Sequence, residues 1–295
     1  VSTVQAISFE CEGDQLYGVL HVPDKLLPRG LLIVVGGPQY RVGSHRQFVL
    51  LARAASKKGI PALRFDHRGI GDSDGELRGF EDINSDIRSA IDTFFEHLQD
   101  LKEVVIWGLC DAASAALMYG YRDGRVVGQV LLNPWVRTEE GLAKAFLRHY
   151  YIANLKQLKF WMSVLKGELD LSKAACSFLQ NVLTASGLKG QQKLRNESVP
   201  TEIEATKVTN NTPPFPIRMA RGLTVFQGRV LIILSGEDLT ASEFKDMVAA
   251  SKQWQRLLKR PNVSVRELNE ANHTFSRREW RDQVAQWTVD WLISW

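Results

Sequence analysis

Three residues have the types and the chain order that nucleophilic acyl chemistry needs: Cys110, Asp238 and His273. Cys110 lies in EVVIWGLCDAASAALMYG, where an apolar run meets Gly108-Leu109-Cys110-Asp111-Ala112 and then a helix-like stretch. The pattern is small-x-nucleophile-x-small at a strand-to-helix turn. The residues two before and two after the nucleophile must be small there, because the chain doubles back on itself. Such a turn lifts the side chain above the carboxyl end of a sheet and sets it at the N-terminus of the next helix. The helix dipole and free N–H groups favour an anion at that place, so a thiolate is expected to form more readily. Taken alone, a free cysteine is as often a small buried apolar residue. Its partners in the chain change that balance.

A nucleophile needs a base, and the base needs an orienting acid. Asp238 follows the apolar run LIILSGE, and His273 follows VSVRELNEAN. Each stands in the loop after a strand, at the same end of a parallel sheet. Glu237 neighbours Asp238 and leaves that assignment open to a shift of one residue. The fourth requirement is a pair of backbone N–H groups aimed at a developing oxyanion. One is expected from Asp111. The other is expected from Val35-Gly36-Gly37-Pro38-Gln39: Pro38 has no N–H, so Gly37 is the natural donor and Gln39 the alternative. Ala112-Ala113-Ser114-Ala115-Ala116 also fits the small-x-Ser-x-small pattern. Ser114, however, lies one helical turn past the elbow and inside the helix.

Elements that could hold these groups are legible on either side. Residues 4–10 and 15–22 alternate like strands around the turn sequence ECEGDQ. GLLIVVGG over residues 30–37 reads as a buried strand, followed by the amphipathic helix HRQFVLLARAASKKG. A short strand at residues 62–65 runs into a Gly-rich loop. The next helix, EDINSDIRSAIDTFFEHLQD, lines Ile83, Ile87, Ile91 and Phe94 along one face. EVVIWG, RVVGQVLLNP, residues 228–238 and residues 262–273 supply further strands, with helices between and after them. Continuous apolar strands alternating with helices predict an α/β fold with a mostly parallel, doubly wound sheet covered on both faces.

The alternation stops between Trp135 and Gly222. KAFLRHYYIANLKQLKFWMSVLKGELD and SKAACSFLQNVLTA read as helical and aromatic-rich, and a polar, Pro-containing stretch follows. The expected organisation is a core of residues 1–135 and 223–295 with an inserted helical cap and linker at residues 136–222. In the cap, Phe146, Tyr150, Tyr151, Phe160, Trp161 and Phe178 could line an apolar pocket. Arg148, Lys156, Lys159 and Lys166 could meet a carboxylate, a phosphate or an anionic membrane surface, which leaves peripheral membrane contact through the cap open. Aromatic stripes of this kind more often pack a core.

The chain of 295 residues carries a net charge of +4 without a block of like charges, which argues against nucleic-acid binding. Its three cysteines, Cys11, Cys110 and Cys176, have no regular spacing. They suggest neither a disulfide framework nor a zinc cluster, and they suit a reducing compartment. No cofactor or metal is expected. The opening VSTVQAISFECEGDQ has no basic or apolar leader, and no run approaches the ~18 apolar residues of a membrane span, so the expectation is a cytoplasmic protein.

With these residues in view, the sequence resembles the α/β-hydrolases over almost its whole length. Val35-Gly36-Gly37-Pro38 is similar to the HGGP oxyanion segment, with Val in place of His. Asp66-His67-Arg68-Gly69-Ile70-Gly71-Asp72-Ser73 is similar to the D-x-R-G-x-G-x-S loop of many members, a structural signature rather than a catalytic one. The order nucleophile, acid, histidine is that of the same fold. More narrowly, GLCDAASA with GGPQYRVGSHRQF and FDHRGIGDSDG resembles the hydrolases of bacterial exosortase A systems, which accompany exopolysaccharide production and protein sorting. Cys in place of Ser departs from the common pattern, and a Cys–His–Asp set on this fold resembles dienelactone hydrolases. The resemblance implies an acyl hydrolase for a small-molecule ester or thioester. An acyltransferase using the same Cys110, or a binding protein on the hydrolase fold, are the alternatives.

Overall fold

A computed structural model describes residues 3–137 and 213–295. The expectations for the aromatic and basic cap residues, and Cys176, lie outside the described residues. Residues 3–136 and 213–295 form one compact unit of an eight-stranded sheet with helices on both faces.

The chain opens with β1 (Thr3–Cys11) and β2 (Asp14–Val22), an antiparallel hairpin closed by Glu12 and Gly13. Both turn residues have positive φ, 51° and 92°, the backbone that matches the twist of two-residue hairpins. From β3 (Arg29–Val34) onward the strands run parallel: β4 (Ala62–Phe65), β5 (Glu103–Leu109), β6 (Val126–Leu132), β7 (Arg229–Glu237) and β8 (Val263–Asn272). The spatial order is β1-β2-β4-β3-β5-β6-β7-β8, with β2 antiparallel to β4.

Alternate residues of each inner strand point to opposite faces, and both faces are dry. Leu31, Ile33, Val105, Trp107, Val130, Leu231 and Ile233 meet α1 (Gln47–Lys57) and α7 (Arg278–Ile293), through Phe48, Leu51, Val289 and Trp291. Leu32, Val34, Ile106, Leu131 and Ile232 meet the other layer. That layer is α2 (Asn84–His97), α3 (Asp111–Tyr119), α4 (Phe215–Val225), α5 (Leu239–Ala250) and α6 (Lys252–Leu258). Ile83, Ile87, Ile91 and Phe94, aligned by helical spacing, are all buried.

The core resumes earlier than the sequence spacing suggests. Residues 213–222, grouped above with the insertion, belong to the same unit as the sheet. Met219, Ala220 and Leu223 of α4 are buried, and Gly222 lies so close to the Leu117 carbonyl of α3 that a Cβ there would overlap it. Pro216 in the first turn of α4 marks a helix start that a Pro-rich reading takes for linker.

The loop after β4 is built as a brace. Asp66 is fully buried and accepts hydrogen bonds from the Arg41 backbone N–H at 2.5 Å and from the Asp72 N–H at 3.2 Å. Its carboxylate also pairs with the Arg41 guanidinium. Ser73 Oγ donates to the Asp66 carbonyl at 2.7 Å and accepts from Tyr17 N at 3.0 Å, tying the loop to β2. Arg68, also buried, sends Nε and Nη2 to the Asp86 carboxylate of α2 at 3.1 and 2.9 Å, while its backbone N–H adds a third bond at 2.9 Å. Removing one partner of so buried a pair leaves an uncompensated charge. Asp86→Ala is therefore expected to destabilise the protein by about 3–5 kcal/mol, read from urea unfolding; a loss below about 1 kcal/mol would show that Glu12, the other partner of Arg68, suffices.

Candidate active site

β5, β7 and β8 end at the same edge of the sheet, and each delivers one of the residues singled out by type and order. Cys110 stands between β5 and α3 with φ 63° and ψ −122°. A residue with a Cβ is rarely held there, at a cost of order 1–3 kcal/mol. The turn is locked from several sides. Cys110 N–H donates to the Leu132 carbonyl at 2.8 Å, and the Cys110 carbonyl accepts from Ala113 N at 3.1 Å and Trp135 N at 3.2 Å. A Cβ on Gly108 would come within 2.6 Å of the Ala112 carbonyl group, which is the physical reason for a glycine two residues before the cysteine. Of the two described cysteines, Cys11 is buried in the core, whereas Cys110 is half-buried at the strand end.

Ser114 is buried, and its hydroxyl donates to the Trp135 carbonyl at 2.6 Å. It secures the segment after β6 to the elbow from inside α3, rather than presenting an attacking oxygen.

Asp238 and His273 are brought together across β7 and β8: His273 Nδ1 lies 2.9 Å from Asp238 Oδ2. Asp238 is also the N-cap of α5, accepting from Thr240 N at 3.3 Å and Ala241 N at 3.1 Å. Burial pushes its carboxyl up, but the His273 hydrogen bond and charge, with the two capping N–H groups, outweigh burial and hold it below the ordinary aspartate value of 3.8. Glu237, the neighbouring candidate, is exposed. The Asp238 side chain is 6 % accessible and that of His273 34 %, so the acid is enclosed while the imidazole reaches the surface.

Asn133 is a positioning residue that the sequence analysis did not single out. It is fully buried with φ 43° at the end of β6. Its Nδ2 donates to Ser235 Oγ at 2.8 Å and to the His273 carbonyl at 3.1 Å, and its Oδ1 accepts from Ser235 N at 2.8 Å. Ser235 Oγ in turn donates to the Asn272 carbonyl at 3.0 Å. One amide thus fixes the backbone that carries the histidine. The available signal was an Asn directly after an apolar strand, a residue type that tolerates positive φ.

Of the expected oxyanion donors, Gly37 N–H is engaged: it donates to Asp111 Oδ2 at 2.8 Å. Asp111 Oδ1 accepts from Ala112 N at 2.9 Å. Burial raises the Asp111 carboxyl above its ordinary value, against the lowering effect of these N–H groups and of nearby His67. The side-chain oxygen of Gln39, the alternative donor, accepts from Ser44 N at 3.2 Å. Among the described residues, no group of three or more His, Cys, Asp or Glu side chains could hold a metal ion. Among the same residues, no helix is long and apolar enough to cross a membrane.

The model of the alpha/beta hydrolase family matches residues 31–287. The chain belongs to that family. Among solved structures, the esterase Pf2001 of Pyrococcus furiosus is similar over 100% of this chain and 92% of its own, with a TM-score of 0.63 at 14% identity. Est1E of Butyrivibrio proteoclasticus, solved with ferulic acid bound, matches over 98% of each chain with a TM-score of 0.60 at 17% identity. At such identities these likenesses concern the fold. A polyketide transferase, grgF of a Penicillium species, is 32% identical over 90 residues; the match spans 29% of this chain and only 31% of that protein.

The double duty of Asp238 separates two effects by mutation. Asp238→Asn keeps an oxygen for the α5 cap, so at the acid end its stability is expected to match wild type within about 0.5 kcal/mol, whereas Asp238→Ala loses the cap as well, about 1 kcal/mol. The lowered Asp238 value also sets a pH window: its share of stability is complete above the ordinary aspartate value and fades as pH falls through the folded-state value. Urea unfolding of wild type and Asp238→Asn between pH 3 and 7 checks the sign, since the two curves should converge at the acid end.

Proposed function

We propose that the protein is an acyl hydrolase acting on a carboxylic ester or thioester through Cys110, His273 and Asp238. The observation that carries this reading is the backbone of Cys110, a non-glycine residue kept at φ 63° where the sheet meets a helix. Positive φ also occurs at Asn133 and Phe275 on the same edge, but of the three only Cys110 carries a nucleophile, so strain there points to its side chain as the reacting group.

In this reading His273 takes the Cys110 proton, and its Nδ1–H stays bonded to Asp238 Oδ2. The thiolate sulfur bonds to the acyl carbon, and the carbonyl electron pair moves to oxygen, facing the N–H groups at the start of α3 and in the Gly37 loop. Collapse expels the alcohol or thiol with the proton that His273 returns, leaving an acyl-thioester on Cys110. His273 then deprotonates a water, which attacks the thioester, and the acid leaves as Cys110 is regenerated. Esters and thioesters suit this sequence better than amides, because a thiolate leaves more readily than an amine that has not been protonated in time.

Acyl transfer to a second nucleophile is the alternative for the same intermediate. Its specific support is the partial match to a protein named a polyketide transferase. The finer resemblance of GLCDAASA, GGPQYRVGSHRQF and FDHRGIGDSDG to exosortase A system hydrolases supports a setting beside exopolysaccharide production.

Brief exposure to an activated acyl ester, followed by intact mass and peptide mapping, tests the assignment. The expected result is one acyl adduct on Cys110, absent in Cys110→Ala and slower by about 10²–10⁴-fold in His273→Ala. An adduct on Ser114 or scattered lysines would overturn it. Faster deacylation with an added thiol or alcohol would favour transfer over hydrolysis.

A further inference from the structure

The Asp111 carboxylate sits where the proposed reaction needs an empty place. Gly37 N–H, the donor expected to meet a substrate oxyanion from the β3 side, is given to Asp111 Oδ2 at 2.8 Å. The other carboxylate oxygen holds Ala112 N–H at 2.9 Å, at the start of α3. The carboxylate also lies by its own N–H, the second expected donor. An acid in the first turn of a helix is common and would explain the Ala112 bond. It does not explain the bond to Gly37, which comes from another loop 74 residues away in the chain.

The room for this contact is made by backbone choice. A Cβ on Gly36 would overlap Asp111 Oδ1, and Gly37 has φ 57°. The glycine pair therefore admits a carboxylate between the β3 loop and the elbow. An N–H has a single proton to give, and two negative oxygens in contact repel. A substrate carbonyl cannot develop charge against Gly37 N–H while Asp111 holds it.

Resting on the Cys110 reading, we propose that the Asp111 carboxylate is the resting occupant of the oxyanion hole, and that acylation of Cys110 requires this side chain to swing off Gly37. The site is self-blocked toward small acyl compounds that bring little binding energy. A substrate that fills the site displaces the carboxylate, after which both N–H groups face the carbonyl oxygen.

The test compares wild type, Asp111→Asn and Asp111→Ala, each checked for folding by its thermal melt. The readouts are the rate of Cys110 acylation by p-nitrophenyl acetate and the Gly37 amide proton resonance. Asp111→Asn is nearly isosteric and keeps the test decisive if the alanine variant fails to fold. The expected result is acylation about tenfold or more faster in the folded variants, with the Gly37 proton moving upfield as its charged acceptor is lost. Cys110 acylated in folded variants no faster than in wild type, or a Gly37 resonance that does not move, would overturn the inference and leave the Cys110 assignment intact. Absence of a Cys110 adduct in wild type and in both variants would overturn that assignment and this inference with it.

Discussion

The turn between β5 and α3 is the constraint on which the site depends. A parallel strand buried on both faces must pass into a helix within one residue, and that residue is Cys110 at φ 63°. The turn closes only because Gly108 lets the strand lie against the backbone of Ala112 and Ala113. The strain is held by bonds to two neighbouring segments: Cys110 N–H to the end of β6, and Trp135 N–H back to the Cys110 carbonyl. The elbow is thus as much a property of β6 and the segment after it as of its own sequence.

From that point the site extends across the sheet by strand order. β6 lies between β5 and β7, and β8 follows at the edge. Asn133 at the end of β6 reaches Ser235 of β7 and the carbonyl of His273, while Asp238 caps α5 and holds the imidazole. Each of these residues does structural work, so the geometry at the ends of β6, β7 and β8 is overdetermined. Fixed dipoles and rigid partners of this kind are what allow a small number of side chains to act without reorganisation. The D-x-R-G loop belongs to the same frame: its Asp66 and Arg68 are spent on bracing β2, α2 and the Arg41 loop.

The engagement of Gly37 by Asp111 changes what the oxyanion segment means. A glycine pair after β3 reads as preparation for a substrate oxygen, yet the same two glycines accommodate an internal carboxylate. The backbone N–H groups at the start of α3 attract any anion, and the nearest one is the side chain of the helix's own first residue. In the proposed reaction a substrate oxygen would compete with that carboxylate for one donor.

The sequence by itself determined the features that are local in the chain. Apolar runs with period two or none placed all eight described strands; in the inner strands burial of both sheet faces dictates the continuous apolar composition. The small residues around Cys110 announced the elbow, because the steric need lies within five consecutive positions. Asp238 and His273 could be named because each directly follows a strand. The sheet order and the membership of α4 in the core were not legible, since they depend on which elements meet in space. The same holds for Asn133 and Ser235, 102 residues apart, and for Gly37 and Asp111, 74 apart. Those contacts carry no periodic or short-range signal. They exist because the parallel crossovers bring the strand ends to one edge, and only there do a buried amide and a buried carboxylate find their partners.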